Sequence, residues 1–429
     1  MVKKFTKSNK FLKEVLGVVP LASQTFSKSY LQYIKGEAPL FAARAKGAFI
    51  WDIDGNKYLD MINGLLPVIL GYQYKAVDEA IKKQLKNGII FSLASPLEYE
   101  LAALLKKHIP CAEMVRFGKN GSDATTGAVR LARAVTGRDH IAICGYHGWH
   151  DWYIGTTTRD LGVPTDTKKL SHKFVYNNPS SLEKIFAENP NKVAAIIMEP
   201  ENYEAPKDGF LEKVKELSRR YGALLIFDEV ITGFRWGLGG AQKYYNVTPD
   251  LACFGKSMAN GMPISALVGK KEYMKKVADI FYSFTQGGET LSIAAAIATI
   301  KELEKKNVVA YIWKIGKILQ DGTNELLKKN GLAEFIKVKG KPCWQVFSIS
   351  ASHGYSDLEI KTYLQQEIIQ AGFLWYGQHN ISFSHTEKDV KKLLGAYAKI
   401  FSRTKKLLDK KQLCENIKGG LITNVFKIR

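Results

Sequence analysis

Two short apolar segments in the middle of the chain end on side chains of opposite charge. Residues 223–227 (ALLIF) lead directly into Asp228, and residues 251–254 (LACF) are followed by a glycine and then Lys256. Apolar runs of this length between polar residues are typical of buried parallel strands. Because open α/β sheets bind ligands at the carboxyl ends of their strands, we expect this carboxylate and this amine at one edge of the same sheet.

A carboxylate and a lysine in one crevice suit the chemistry of pyridoxal phosphate. The lysine amine can form a Schiff base with the cofactor, and the carboxylate can keep the pyridine nitrogen protonated so that the ring accepts electrons. The alternative is an Asp228 that only caps a helix and a Lys256 that is only solvated. The tripeptide Gly255-Lys256-Ser257 also resembles the end of a Walker phosphate loop, but that motif requires a glycine where the chain has Asp250.

A predicted helix start is suited to the phosphate of such a cofactor. The short strand V-R-F-G is followed by Gly121, Ser122 and Asp123, and then by apolar residues at helical spacing. The free amides and the positive end of a helix dipole attract anions. Ordinary capping by Ser and Asp explains these residues equally well, so the phosphate hypothesis depends on their position relative to Asp228 and Lys256.

The elements that must position these groups follow an alternating pattern. Apolar runs at 140–144 and 193–198 predict strands that end near Tyr146 and Glu199, and Tyr146 is the first aromatic available to stack on a planar ring. Strands and helices alternate over roughly residues 110–270, the pattern of a mostly parallel, doubly wound sheet. Four strand ends and one helix start are therefore expected at one edge of the sheet. This convergence indicates a cofactor site more specifically than any single motif does.

The remainder of the chain is expected to form two further parts around this large domain, which we assign to residues 63–298. Residues 1–62 predict an N-terminal arm and a hairpin that turns at Asp54-Gly55-Asn56 and packs with the small domain. Residues 299–429 predict that smaller α+β domain. The predicted fold class is α/β.

Composition limits the class of protein. The chain has 429 residues, 46% of them hydrophobic and 24% charged, which is ordinary for a globular protein with a substantial core. No apolar run approaches the ~20 residues that cross a bilayer, and the basic start lacks the features of a secretory signal. The five cysteines are far apart without a C-x-x-C pair, which favours a reducing compartment. We therefore expect a cytoplasmic protein without membrane partners.

Two other kinds of site are not favoured. The net charge of +21 comes mainly from lysines spread along the chain, without an arginine-rich stripe, so we expect no nucleic-acid partner. His147, His150 and Asp151 have spacings that suggest metal ligands. The flanking glycines argue against the helix that such a site usually needs, so we expect no metal.

From W-D-I-D-G-N-K-Y-L-D to F-S-H-T-E-K-D, nearly the whole chain resembles the class III aminotransferases, which are fold-type I pyridoxal phosphate enzymes. The most diagnostic motifs are D-E-V-I-T-G-F-R and, further on, P-D-L-A-C-F-G-K-S-M-A-N-G-M-P-I-S-A. Within the class, R-L-A-R-A-V-T-G-R makes the chain most similar to the glutamate-1-semialdehyde aminomutase branch. The resemblance implies a large, mostly parallel-sheet domain and a smaller α+β domain.

The resemblance also implies roles at the cofactor ring. Lys256 matches the lysine that forms the Schiff base, and Asp228 matches the partner of the pyridine nitrogen. Val230 matches the residue against one face of the ring, and Tyr146 the residue against the other. Both Lys256 and Asp228 are then catalytic, and the cofactor is pyridoxal 5'-phosphate.

The resemblance further implies how the phosphate is bound. Gly121, Ser122 and Asp123 match the phosphate-cup loop. Thr285, in F-T-Q-G-G-E-T, matches a threonine that reaches the phosphate from the neighbouring subunit. A homodimer with shared active sites follows from that match.

The chain departs from the family pattern in two regions. Many class III transaminases carry a glutamine three residues after the aspartate, to contact the phenolic oxygen of the cofactor; here that residue is Ile231, and Asn202 is our candidate for the contact. The aminomutase motif H-G-H-S-D is replaced by H-G-W-H-D, and the acid expected in the small domain is missing. The altered motif and the missing acid both lie in regions that would contact the substrate.

We therefore predict an aminotransferase that moves an amino group from an amine or amino-acid donor to an aldehyde or ketone acceptor by a ping-pong Schiff-base mechanism. The alternative within enzymes is an intramolecular 2,1-aminomutase of the glutamate-1-semialdehyde type. An alternative outside the enzymes is a scaffold protein that binds the cofactor without catalysis. The presence of both Lys256 and Asp228 argues against it.

Overall fold

The computed structural model describes residues 3–423, which form two compact units. Residues 75–309 make up the large unit, and residues 3–74 together with 310–423 make up the small unit. The unit boundaries lie at positions 74 and 309, compared with 62 and 298 expected from the sequence. Each unit has its own sheets.

The strands of the described residues are, in chain order, β1 (Ala42–Lys46), β2 (Phe49–Asp52), β3 (Lys57–Asp60), β4 (Met114–Gly118), β5 (His140–Cys144), β6 (Ser171–Lys173), β7 (Val193–Met198), β8 (Leu224–Asp228), β9 (Leu251–Phe254), β10 (Ser265–Gly269), β11 (Ile336–Lys341), β12 (Trp344–Ile349), β13 (Phe373–Leu374) and β14 (Gln378–Asn380).

The α-helices of the same residues are α1 (Thr6–Leu16), α2 (Lys75–Leu85), α3 (Pro96–His108), α4 (Gly121–Thr136), α5 (Asp151–Ile154), α6 (Thr165–Lys169), α7 (Pro179–Glu188), α8 (Phe210–Tyr221), α9 (Gly240–Tyr244), α10 (Lys271–Met274), α11 (Thr290–Lys305), α12 (Val308–Lys329), α13 (Asp357–Gln370) and α14 (Glu387–Asp409). No helix between residues 3 and 423 is long and apolar enough to cross a membrane.

The large unit is built on a seven-stranded sheet in the order β4-β10-β9-β8-β7-β5-β6. Within the series β9-β8-β7-β5-β6 all adjacent strands are parallel. Strand β10 is antiparallel to both β4 and β9. All residues of β7 and β8 are buried, as expected for parallel strands covered on both faces. This confirms the predicted mostly parallel α/β sheet.

Helix α4 carries the apolar face that packs on this sheet. Its residues Ala124, Ala128, Leu131 and Ala132 are completely buried in the core. Their three- and four-residue spacing puts them on one side of the helix. The helix ends at Gly137, whose φ of 66° provides the left-handed conformation common after a helix. This packing fixes the position of the α4 N-terminus.

The small unit contains a four-stranded sheet, β1-β2-β3-β13, and a three-stranded sheet, β11-β12-β14. Strands β2 and β3 pair antiparallel on either side of Asp54-Gly55-Asn56, and Gly55 has a φ of 89°. The carboxylate of Asp54 accepts hydrogen bonds from the N–H groups of Lys7 and Ser8, which attaches α1 to the turn. Strand β13 pairs parallel with β3, so segments from before and after the large unit in the sequence contribute to one sheet.

Candidate active site

The two charged groups found in the sequence follow neighbouring strands of the large unit. Strands β8 and β9 are parallel, and Asp228 pairs in register with Cys253. Lys256 comes three residues after Cys253, at the same edge of the sheet. Asp228 is only 5% exposed. The sheet therefore places a buried carboxylate and a partly buried amine at adjacent strand ends.

Asp228 is held by an imidazole from another strand end. His147, which follows β5, lies with Nδ1 2.8 Å from Asp228 Oδ2, and both side chains are buried. The other carboxylate oxygen, Oδ1, accepts the N–H of Val230 at 3.1 Å. The second ring nitrogen of His147, Nε2, is 3.2 Å from the carbonyl oxygen of Cys144. Because a carbonyl can only accept, Nε2 carries a proton, and the ring is oriented by both contacts.

A second carboxylate lies at the end of β7. Glu199 Oε2 accepts the backbone N–H of Tyr146 at 3.0 Å, and a Cβ on Gly145 would lie 2.5 Å from that oxygen. Burial and the nearby charge of Asp228 raise the pKa of Glu199 to about 7, although His147 and Tyr146 act in the opposite direction. The edge thus contains one carboxylate paired with an imidazole and one with a raised pKa.

Lys256 has a strained backbone and a perturbed amine. Its φ of 37° is in the left-handed region that residues other than glycine rarely adopt. Burial lowers its pKa, although the negative charges of Asp228 and Glu199 oppose that shift. A lysine with a lowered pKa has more of its amine in the neutral, nucleophilic form near pH 7. Strain and a perturbed pKa at one residue are typical of a functional site.

The N-terminus of α4 presents an anion site close to these strand ends. Ser122 Oγ accepts the backbone N–H of Trp149 at 3.3 Å, which leaves its own O–H to donate. Asp123 Oδ2 accepts the N–H groups of Lys119 at 2.8 Å and Asn120 at 2.7 Å. The carboxylate of Asp123 therefore caps the turn. An anion at this helix start would meet the Ser122 hydroxyl, free amides and the helix dipole.

Glycines make room at this point. A Cβ on Gly148 would lie 2.1 Å from Ser122 Oγ, and its φ of 104° also favours glycine. A Cβ on Gly121 would lie 3.1 Å from a methyl carbon of Val230. Val230 thus packs beside the α4 N-terminus, one residue after the buried Glu229. The donor set and the space beside it fit a phosphorylated, planar cofactor with an aldehyde.

The motif D-E-V-I-T-G-F-R forms a tight buried loop. Glu229 accepts the N–H groups of Ala241 at 2.7 Å and Gln242 at 2.8 Å, so its carboxylate supports α9. Arg235 is completely buried and its Nε donates to Ser257 Oγ at 3.0 Å, next to Lys256. These residues fix the relative position of the ends of β8 and β9.

The other two predicted cofactor residues lie on loops, one after β7 and one before α11. Asn202 Oδ1 accepts the N–H of Glu204 at 2.9 Å, an arrangement that closes a local turn. Thr285 lies in an exposed loop before α11. Tyr146 is 45% exposed, and its ring makes an edge contact with Tyr153, with centroids 5.5 Å apart. Of the predicted set, Lys256, Asp228, Val230, Tyr146, Gly121, Ser122 and Asp123 are brought together.

Sequence reasoning missed the contact between His147 and Asp228. The histidine was considered only as a metal ligand, and among residues 3–423 no group of three or more His, Cys, Asp or Glu side chains is placed to hold a metal. Its position after a predicted strand end was the signal, because Glu199, Asp228 and Lys256 lie at the ends of predicted strands in the same way.

Comparison with known proteins decides the family. The pattern described as Aminotransferase class-III matches residues 32–380. This chain belongs to the class III aminotransferases. It is 35% identical over 415 residues to a 3-aminobutyryl-CoA aminotransferase from Cloacimonas acidaminovorans, covering 94% of this chain and 99% of that protein.

Two further relatives extend the comparison. A glutamate-1-semialdehyde 2,1-aminomutase from Methanosphaera stadtmanae is 38% identical over 342 residues, which is 76% of this chain and 79% of that protein. The pyridoxal phosphate internal aldimine form of the FumI protein from Sphingopyxis sp. MTA144 superimposes with a TM-score of 0.88 at 28% identity, covering 94% of this chain and 98% of that one. The fold class, the family and the dependence on pyridoxal phosphate predicted from the sequence are confirmed.

Proposed function

We propose that this class III aminotransferase uses Lys256 and Asp228 as its catalytic residues and transfers an amino group between two separate substrates. The observation that carries the proposal is a strained, partly buried lysine beside a carboxylate that His147 holds, at the ends of two adjacent strands. These are the groups that a pyridoxal phosphate enzyme needs to bind the aldehyde and to keep the ring nitrogen charged.

When bound, pyridoxal phosphate supplies an aldehyde that condenses with amines and a ring that accepts the electron pair left by removal of a proton. Lys256 is the base for that proton, because its lowered pKa leaves a neutral amine to accept it. Once protonated, the same lysine can act as the acid that returns the proton. Asp228 would be the partner of the ring nitrogen, and His147 holds the carboxylate of Asp228 in place.

Ser122 and the free amides at the start of α4 would hold the phosphate. Val230 and Tyr146 would pack against opposite faces of the ring, and Asn202 is retained as the candidate for the phenolic oxygen. Asp123 would act through the cap that it forms with Lys119 and not by direct contact with the anion, since its carboxylate and a phosphate repel each other.

We further propose a homodimer in which Thr285 reaches the phosphate of the partner chain. Thr285 is exposed in a single chain, and the first residue of α11, Thr290, donates from N and from Oγ1 to the carbonyl oxygen of Ile89, both at 2.9 Å. The two segments that bear this contact and Thr285, residues 89–93 and 281–290, carry several exposed apolar side chains, an unusual surface for a monomer. They are Ile89, Ile90, Phe91, Leu93 and Phe281.

We place the protein in the cytoplasm. All five cysteines are free, and four of them are buried, which is the state expected in a reducing compartment.

The first donors to test are β-amino acids and their thioesters. One of the relatives that match this chain over nearly their full length is named for an amino group on the third carbon of an acyl-CoA. The experiment adds each donor to the cofactor-loaded protein without acceptor and follows the visible band of the lysine-bound cofactor. A productive donor should bleach that band and release one carbonyl product per site. Restoration by a separate carbonyl acceptor supports transfer between two substrates.

The aminomutase alternative makes a different prediction in the same assay. Glutamate 1-semialdehyde alone should be isomerised over many turnovers without an acceptor and without net release of a keto product. That result would contradict the proposed transfer. Lys256→Ala should lose activity by several orders of magnitude, whereas the exposed Lys271→Ala control should not. Asp228→Asn should bind cofactor but lose about a hundredfold or more in turnover.

A further inference from the structure

Two loops of the large unit meet at an ion pair that the proposed mechanism does not use. We call residues 119–123, from the end of β4 into the first turn of α4, the cup loop, and residues 281–289, before α11, the interface loop. Lys119 Nζ lies 2.9 Å from Glu289 Oε2, and the two side chains are only 18% and 13% exposed. Removing one partner of such a pair is costly, because the other charge remains out of water without compensation.

Each partner of the pair is also fixed by a helix N-terminus. The backbone N–H of Lys119 donates to Asp123 Oδ2 in the first turn of α4. Glu289 accepts hydrogen bonds from Leu291 N at 2.7 Å and Ser292 Oγ at 2.6 Å in the first turn of α11. Burial raises the pKa of Glu289, but the hydrogen bonds from Ser292 and Lys119 outweigh it and lower the pKa below its usual value. The carboxylate is therefore charged at neutral pH.

The other end of the interface loop is also attached to α4. Arg130, on that helix, donates from Nη1 to the carbonyl oxygen of Phe281 at 2.6 Å. The ring of Tyr282 packs on Gly127, where a Cβ would lie 2.5 Å from ring carbon Cζ. Thr285 therefore lies between an attachment to helix α4 at one end of the interface loop and an attachment to Lys119 at the other.

We infer that Lys119 is a positioning residue for the partner's active site. Through Glu289 it holds the interface loop so that Thr285 reaches the phosphate bound by the other chain; this rests on the homodimer proposed above. In that dimer the cup loop serves the chain's own phosphate, whereas the interface loop serves the partner's. One ion pair thus connects the two sites, and its loss weakens cofactor binding at the partner's site.

Single variants test the effect on cofactor binding. Lys119→Gln and Glu289→Gln remove one charge each while nearly keeping side-chain length. Each should raise the Kd for pyridoxal phosphate about tenfold, the scale of one lost hydrogen bond to a charged group. As a control, Lys301→Gln on helix α11 breaks an exposed ion pair with Glu100 of α3 and should change nothing. Adding Lys119→Gln to Thr285→Ala should cause no further loss, because the lysine acts through that threonine.

Mixed dimers assign the defect to one site, measured as the cofactor that borohydride fixes to Lys256. A chain with Lys119→Gln and Lys256→Ala, paired with wild type, leaves the intact lysine in the wild-type chain, whose cup receives Thr285 from the altered loop. We expect about tenfold weaker retention there. A Lys119→Gln chain paired with a Lys256→Ala chain receives Thr285 from an unaltered loop and should retain cofactor normally.

Equal retention in the two hybrids, or a defect confined to the second, would overturn the positioning role and show that Lys119 acts on its own cup. The Thr285→Ala variant separates this failure from that of the dimer proposal. If Thr285→Ala alone leaves retention unchanged, the cross-subunit threonine and the role of Lys119 are both wrong.

Discussion

Replacing His147 by Phe tests whether the imidazole supports the carboxylate of Asp228. The two side chains are 0% and 6% exposed and 2.8 Å apart, so the bond is fully removed from water. A hydrogen bond to a charged group contributes about 1.5–3 kcal/mol, and its loss here leaves a buried carboxylate oxygen without that partner. Phenylalanine retains an aromatic ring for packing. We therefore expect the free energy of unfolding of the apoprotein to fall by about 3 kcal/mol.

That loss corresponds to a lower melting temperature of about 6–12 °C for a unit of this size, measured by differential scanning calorimetry of the apoprotein. His147→Gln keeps a donor toward Asp228 and should lose less. A double-mutant cycle isolates the pair: in an Asp228→Asn background, His147→Phe should cost much less than in wild type. Strictly additive effects, or equal losses for Phe and Gln, would refute the reasoning.

Two further predictions concern the surroundings of the site and the edge of the sheet. Gly148→Ala should weaken cofactor retention, because its Cβ would lie 2.1 Å from Ser122 Oγ at a φ of 104°, whereas Gly237→Ala, with open space around it, should not; equilibrium dialysis compares the two. His140 Nδ1 and His172 Nε2 are 2.7 Å apart, and burial, the largest cause, lowers the pKa of both. A lowered pKa in the folded state means that protonation favours unfolding, so this contribution is complete above about pH 6.5 and is lost below it. The stability advantage of wild type over His172→Gln should shrink between pH 7.5 and 5.5 in thermal melts; a constant difference would contradict it.

The sequence was sufficient for the strand ends because buried parallel strands are marked by continuous apolar runs. Asp228 and Lys256 follow such runs, and the structure has β8 and β9 there as neighbours. The order of the other strands was not predictable in the same way. Strand β10 lies between β4 and β9, yet nothing in its local apolar pattern identifies β4, which comes much earlier in the chain, as its partner.

Contacts between side chains that are distant in the sequence could not be predicted either. His147 and Asp228 are separated by 81 positions, and Lys119 and Glu289 by 170. Each pair forms because the sheet and helix α4 bring two loops together. Hydrophobic periodicity describes one element at a time, so it places residues at the ends of elements but does not pair them.

The most direct test of the central claim is to identify the lysine that binds the cofactor. The protein loaded with pyridoxal phosphate is reduced with borohydride, digested, and analysed by mass spectrometry. We predict one modified peptide, with the phosphopyridoxyl group on Lys256, and its disappearance after prior exposure to a productive amine donor. Modification of a different lysine, or of many surface lysines without preference for Lys256, would contradict the assignment of this active site.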